Sequence, residues 1–255
     1  MNENLKNSIA TYFFTTHIFI SLIAVFLSLE TSILFQHSFL SIDFYLFIFF
    51  STLFSYNVYY IKTEQAKMYW TISIVAFVMM VFFFFKSKLY LDTRVLILAT
   101  LSIIYIIPVF LPFEKSKNFT TKKFFLLIIT WVFCTFYLPL RSVHFNYYFF
   151  VLFTFRFSIM TYSCLLFFIR DEQNIKLKNT AQQYCKPIIA FLFLLSLIIL
   201  FTIEKKLGLI NLSISILCIF LNQYFLSNKR TKLDYLIYAD GILALQSFLV
   251  YIFIY

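Results

Sequence analysis

The sequence predicts an all-α, polytopic transmembrane bundle of about nine helices. Three observations carry this. Of 255 residues, 62% are hydrophobic and only 13% are charged, and mean hydropathy is +0.88. A soluble domain of this length needs more polar surface to face water. The apolar residues form continuous runs rather than alternating ones, which excludes a β-barrel and leaves helices to satisfy the backbone in lipid. Gly 2 and Pro 4 are low counts, which predicts short loops and mostly unbroken helices.

A spanning helix needs ~20 largely apolar residues. Nine segments approach this: Thr11–Leu29, Leu40–Ile61, Tyr69–Phe85, Thr93–Leu111, Phe124–Leu140, Asn146–Ile169, Pro187–Ile203, Leu207–Leu226 and Tyr235–Ile254. Together they form a single transmembrane domain over residues 1–255. The first is read as a retained span, because it lacks a small-residue cleavage site. Only Glu204, Lys205 and Lys206 separate the seventh and eighth, which predicts a tight helical hairpin. The longest loop is Arg170 to Lys186.

Charge sets the orientation. With the N-terminus inside, fourteen Lys and Arg fall on inner segments and six on outer ones, with Arg156 inside a span. That places the chain in the cytoplasmic (inner) membrane, N-terminus cytoplasmic. The net charge of +10 is thus a matter of topology rather than of nucleic-acid binding. Cys134, Cys164, Cys185 and Cys218 form no CxxC pair and are read as packing residues. The 38 Phe and 18 Tyr are read as aromatic packing within the bundle.

Ionisable groups inside spans are costly and face the bundle interior. Arg156 lies about 15 Å into the sixth span at ~1.5 Å per residue. It calls for an acceptor on another helix, and Gln246 is nearer to it in depth than Asp240. A structural tie and a ligand-binding role weigh equally. Polar residues also gather at expected inner ends: Tyr56 and Asn57, Arg170 and Asp171, Asn222 and Gln223, and Asp240. If those helices are neighbours, they form a polar mouth to the cytoplasm. His17 and His144 lack ligand spacing.

Four stretches, FFSTLFSYNVYYIK, KKFFLLIITWVFCTFYLPL, FRFSIMTYSCLLFFIRDEQNIKLKNT and DGILALQSFLVY, resemble the UbiA superfamily of intramembrane prenyltransferases. The likeness is to its divergent Bacteroidetes-type subgroup. The resemblance implies a UbiA-like helical fold and prenyltransferase ancestry. Active members carry NDxxDxxxD after the second helix and DxxxD after the sixth. Those carboxylates hold Mg2+, which neutralises an isoprenoid diphosphate so that its carbon–oxygen bond can ionise. Here Asn57 matches the first motif, but Val58, Ile61 and Gln65 stand at its Asp positions. Arg170 and Asp171 match the subgroup's IRD, while Phe168 and Ile175 replace the expected carboxylates.

The remaining candidates for catalysis are Asn57, Glu64, Asp171 and Glu172, with Asp171 the candidate metal ligand. Lys62, Arg170, Lys176, Lys178, Arg156 and Asp240 are candidates for substrate binding. This set attracts a phosphate but does not readily hold two Mg2+ ions. The expected function is therefore a UbiA-like membrane protein, catalytically impaired or inactive, binding an isoprenoid or lipid phosphate at its cytoplasmic mouth. Two alternatives stand beside it. One is an active prenyltransferase acting on a small acceptor, with Mg2+ as cofactor. The other is a small transporter or assembly partner. Membrane lipid is the expected partner, and nucleic acid is not.

Overall fold

The computed structural model describes residues 15–36, 39–59, 61, 66–110, 117–140, 145–171, 175–227 and 232–254; within these, the side chains at 107–110, 117–123, 170–171, 175–179, 225–227 and 232–236 are outside the description. The described elements are all helical: α1 Ile18–Gln36, α2 Ile42–Tyr59, α3 Ala66–Lys86, α4 Thr93–Phe110, α5 Lys117–Val132, α6 Tyr147–Asp171, α7 Ile175–Thr202, α8 Lys205–Ser227 and α9 Lys232–Ile254. A 3₁₀ turn, Leu89–Leu91, joins α3 to α4, and a π-helical turn, Phe133–Tyr137, ends α5. Among the described residues, seven helices are long and apolar enough to cross a membrane, and Thr93–Ile106 and Phe124–Tyr137 are shorter apolar stretches. These two lie in the expected fourth and fifth spans. Packing divides the chain into two compact units, Met1–Leu140 and Arg141–Tyr255.

In the first unit, Thr11–Phe14 of the expected first span lie outside the described residues, and α1 begins at Ile18 and runs on to Gln36 rather than ending at Leu29. His17 sits at φ 63, a left-handed conformation that is costly for a residue with a Cβ, so the helix starts after it. At its other end, Glu30, Thr31 and Ser32 resemble a loop in composition but are buried. The hydroxyls of Ser28, Thr31 and Ser32 donate to Ala24 O (2.8 Å), Leu27 O (3.1 Å) and Ser28 O (3.0 Å). Each of these three hydroxyls is thus satisfied within the helix.

Ser41 caps α2, its Oγ accepting from Phe44 N at 3.3 Å. α2 and α3 then pair through aromatic rings: Phe47 with Phe84, Phe50 with Phe83 and Phe54 with Phe77, at centroid separations of 6.1, 5.8 and 5.4 Å. The Asp43–Lys86 ion pair, 2.9 Å, closes the end of this hairpin.

The π turn gives α5 one extra residue, with Leu138 N donating to Phe133 O. Such a turn leaves carbonyls that need donors from elsewhere. α1 supplies two of these donors. Thr31 Oγ1 reaches Thr135 O at 2.9 Å, and Gln36 Nε2 reaches Pro139 O at 2.7 Å.

In the second unit, Asn146 caps α6, its Oδ1 accepting from Phe149 N at 2.9 Å. α7 corrects one expectation. The stretch Ile175–Lys186, expected to be loop, is helical, and Pro187 lies inside the helix rather than opening it. Proline removes one backbone donor and crowds the preceding turn, yet the helix continues through it.

α7 and α8 form the expected tight hairpin. Ser196 Oγ and Ser215 Oγ meet at 3.0 Å. A Cβ at Gly208 would overlap the backbone N and Cα of Leu200 and lie 2.5 Å from its Cβ. Glycine is therefore what lets these two backbones approach, in the manner of small residues at membrane helix contacts. Lys206 Nζ donates to Phe253 O at 3.3 Å, satisfying a carbonyl at the C-terminal end of α9.

Candidate functional site

The first unit contains a cavity of about 410 Å³, within the ~300–1,000 Å³ range of small-ligand sites. Its walls come from five elements: Ala24 of α1; Phe47, Ser51, Phe54 and Tyr56 of α2; Phe77, Met80 and Phe84 of α3; Val95, Leu98, Ala99 and Ile103 of α4; and Leu127, Trp131 and Cys134 of α5 and its π turn. No charged residue is among its described lining. The hydroxyls of Ser51, Ser55 and Thr130 are spent on carbonyls of their own helices, Ile48 O, Ser51 O and Leu126 O. At one end, Trp131 Nε1 donates to Tyr56 Oη at 2.8 Å, linking α5 to α2. Chemically this is an apolar, largely aromatic space suited to a hydrocarbon. Among its described lining residues there is no carboxylate, histidine, lysine or arginine.

Beside the cavity, the break before α1 is sealed by polar side chains. Asn57 Nδ2 donates to Thr16 O at 3.0 Å and to Leu53 O at 2.8 Å. Tyr69 Oη donates to Thr15 O at 3.3 Å. The His17 ring lies against Tyr56 and Tyr69, at 5.5 and 5.9 Å between centroids. Asn57 is fully buried, and its Oδ1 has no hydrogen-bond partner among the described residues. A hydrated magnesium ion keeps several waters and needs an open approach. The enclosed Asn57 amide fits a structural clamp on the Thr16 carbonyl better than it fits a ligand to such an ion.

At the α3–α4 connection, Asp92 and Arg94 form a clasp. Arg94 Nη2 lies 2.6 Å from Asp92 Oδ2, and Asp92 Oδ1 accepts from the Arg94 backbone N and Nε, both at 2.9 Å. Arg94 Nη1 also donates to Leu140 O and Tyr137 O. It thus satisfies carbonyls at the end of the π turn. Partial burial by itself would raise the Asp92 pKa, but its hydrogen bonds to Arg94 and the Arg94 charge outweigh this and hold it below the usual carboxylate value.

No known protein family, curated protein or solved structure matches this chain.

The other residues expected from the sequence fall as follows. Lys62, Glu64 and Glu172 lie outside the described residues, and Arg170, Asp171, Lys176 and Lys178 are described as helical backbone only. Among the described residues, no group of three or more His, Cys, Asp or Glu is placed to hold a metal ion. Arg156 and Asp240 belong to the second unit and are 3% and 2% exposed. Ser163 Oγ donates to Ala239 O at 3.2 Å, and this bond fixes the register of antiparallel α6 and α9. Arg156 precedes Ser163 by about two turns, and Gln246 follows Ala239 by the same interval. The two are therefore level. Gln246 Nε2 in turn donates to Asn211 Oδ1 of α8 at 3.4 Å. Arg156, Gln246 and Asn211 make one buried polar layer across three helices.

The sequence reading missed Glu30, which is 2% exposed inside α1, because it placed the end of the first span at Leu29. Its neighbours Ser28, Thr31 and Ser32 were the available signal: a polar patch continuing an apolar run. Asn211 was missed too, although it lies well inside the expected eighth span. The cavity had no signal in the sequence, since its lining residues look like any membrane-helix residues.

Proposed function

We propose that this chain is a UbiA-like protein of the cytoplasmic membrane, with nine membrane-embedded helices and a cytoplasmic N-terminus. In this reading it has kept a hydrocarbon-binding interior and has lost, or nearly lost, prenyl transfer. The observation that carries it is the 410 Å³ cavity walled by aromatic and aliphatic side chains, with no charged residue among its described lining. An isoprenoid tail needs such walls, whereas diphosphate ionisation needs several carboxylates that this sequence lacks at its two motif positions. Lys62 in the first unit, and Arg170, Lys176 and Lys178 in the second, are the sequence's candidates for holding an isoprenoid or lipid phosphate. Were magnesium bound, Asp171 would be its candidate ligand.

The test uses the full chain in lipid nanodiscs with a radiolabelled prenyl diphosphate, with and without Mg2+. The expected result is saturable binding without transfer to any added acceptor. Magnesium-dependent transfer abolished by Asp171→Ala would establish the active enzyme instead. Absence of saturable binding would remove the isoprenoid reading altogether.

A further inference from the structure

The cavity is long and narrow along the helix direction. On α4 its lining runs from Val95 to Ile106, and on α2 from Phe47 to Tyr56; at ~1.5 Å per residue these stretches are about 16 and 14 Å. A bilayer's hydrocarbon core is ~30 Å thick, so the slot is about half that length, and its lining lies around the middle of these helices. It also opens sideways. Phe77 of α3 and Ile103 of α4 both line it, and both are exposed, at 47% and 56%. α3 packs along α2 while α4 packs on α5, which leaves the opening between α3 and α4. Ala99, with the smallest side chain on this stretch of α4, is exposed beside it.

We propose that this slot takes a single uncharged hydrocarbon chain directly from the surrounding lipid, entering between α3 and α4, with recognition by the chain and not by a charged head. The proposal deepens the reading of a hydrocarbon-binding interior and rests on it. Length selects the occupant, because the slot is about 14–16 Å long at ~1.5 Å per residue. Charge selects it as well, because no described lining residue offers a counter-charge, and an ionised group brought among them would cost several kcal/mol. The Tyr56–Trp131 pair supplies the polar groups at one end of the slot, where a neutral hydroxyl at the end of a chain can exchange into their hydrogen bond. A saturated acyl chain and a prenyl chain share this chemistry, and competition separates them.

The experiment uses the full chain in nanodiscs and a long-chain prenyl alcohol carrying a diazirine near its middle. Crosslinked peptides should map to the slot, at Phe54, Ala99 or Leu127. Ala99→Phe should lower crosslinking at least tenfold, while Ala190→Phe, on an exposed position of α7, should leave it unchanged. Should Ala99→Phe fail to fold, Ile103→Trp at the opening serves as a second block. Unlabelled prenyl alcohol should compete as well as the matching diphosphate, within about threefold.

Crosslinks outside the slot, or full labelling of a folded blocked variant, would overturn the proposal. So would competition by the diphosphate alone. Competition by a saturated fatty alcohol equal to that of the prenyl alcohol would keep the slot but remove the isoprenoid reading of the proposed function. Competition by the prenyl alcohol alone would support both.

Discussion

Adding one methyl group at Gly208 should open the α7–α8 hairpin. The new Cβ would lie 2.5 Å from Leu200 Cβ and overlap Leu200 N and Cα. Carbon pairs are comfortable at ~3.5–4.0 Å, so the helices must part by more than about 1 Å. The obstructing atoms belong largely to backbone, so no rotamer change relieves the clash. Overpacking of this kind costs ~1–3 kcal/mol, and a rigid obstacle places Gly208→Ala near the upper end. Alanine's better helix propensity returns about 0.8–1.0 kcal/mol, for a net loss of ~2 kcal/mol. At ~2–4 °C per kcal/mol for a chain of this size, melting should fall by about 4–8 °C. The separation would also stretch the 3.0 Å Ser196–Ser215 bond.

Gly241 is the control, since it is helical and an added Cβ there meets nothing within 4 Å. Gly241→Ala should therefore gain the propensity term alone, raising melting by about 2–4 °C. Detergent-solubilised protein followed by circular dichroism reads both. A Gly208→Ala variant that melts at or above the wild-type temperature would refute the reasoning. Equal shifts of one sign in the two variants would do the same.

Three other outcomes are expected. Asn57→Ala should destabilise the first unit by ~1–3 kcal/mol, the cost of leaving the buried Thr16 carbonyl without that donor; a drop in binding with an unchanged melting curve would instead give Asn57 a ligand role. The Asp92 pKa is depressed in the folded chain, so the Asp92–Arg94 clasp contributes stability above the unfolded carboxyl value of ~3.9, and this contribution is lost as pH falls through the folded value. Melts of wild type and Asp92→Asn should differ at pH 6, and the gap should narrow as pH falls below the unfolded carboxyl value; a constant gap would remove the linkage. Gln246→Leu should cost ~0.6–2 kcal/mol by leaving the Asn211 amide oxygen without its donor, read as a lower midpoint on titration with denaturing detergent.

The helices were legible because hydropathy is a local quantity, readable from any short stretch of chain. Expected spans and observed helices agree in order, and their ends differ where polar residues mislead. Glu30, Thr31 and Ser32 read as a boundary because their composition is that of a loop, yet all three are buried, and bonds within α1 and to the π turn satisfy Thr31 and Ser32. Pro187 read as a helix start because proline favours that place, yet α7 runs through it. The depth match between Arg156 and Gln246 was readable from counting residues, since both lie on regular helices. The clamp role of Asn57 was not, because its partner Thr16 belongs to a different helix and a break that composition does not mark.

The amino-acid sequence by itself determined that this chain is helical, apolar and suited to a membrane, because those properties sum over neighbouring residues. Tertiary structure alone decided where the apolar cavity lies, why Gly208 must stay small and which buried amides share a layer. Each of these depends on the gap between side chains far apart in the chain, and such a gap is set by how helices pack rather than by what any one of them contains.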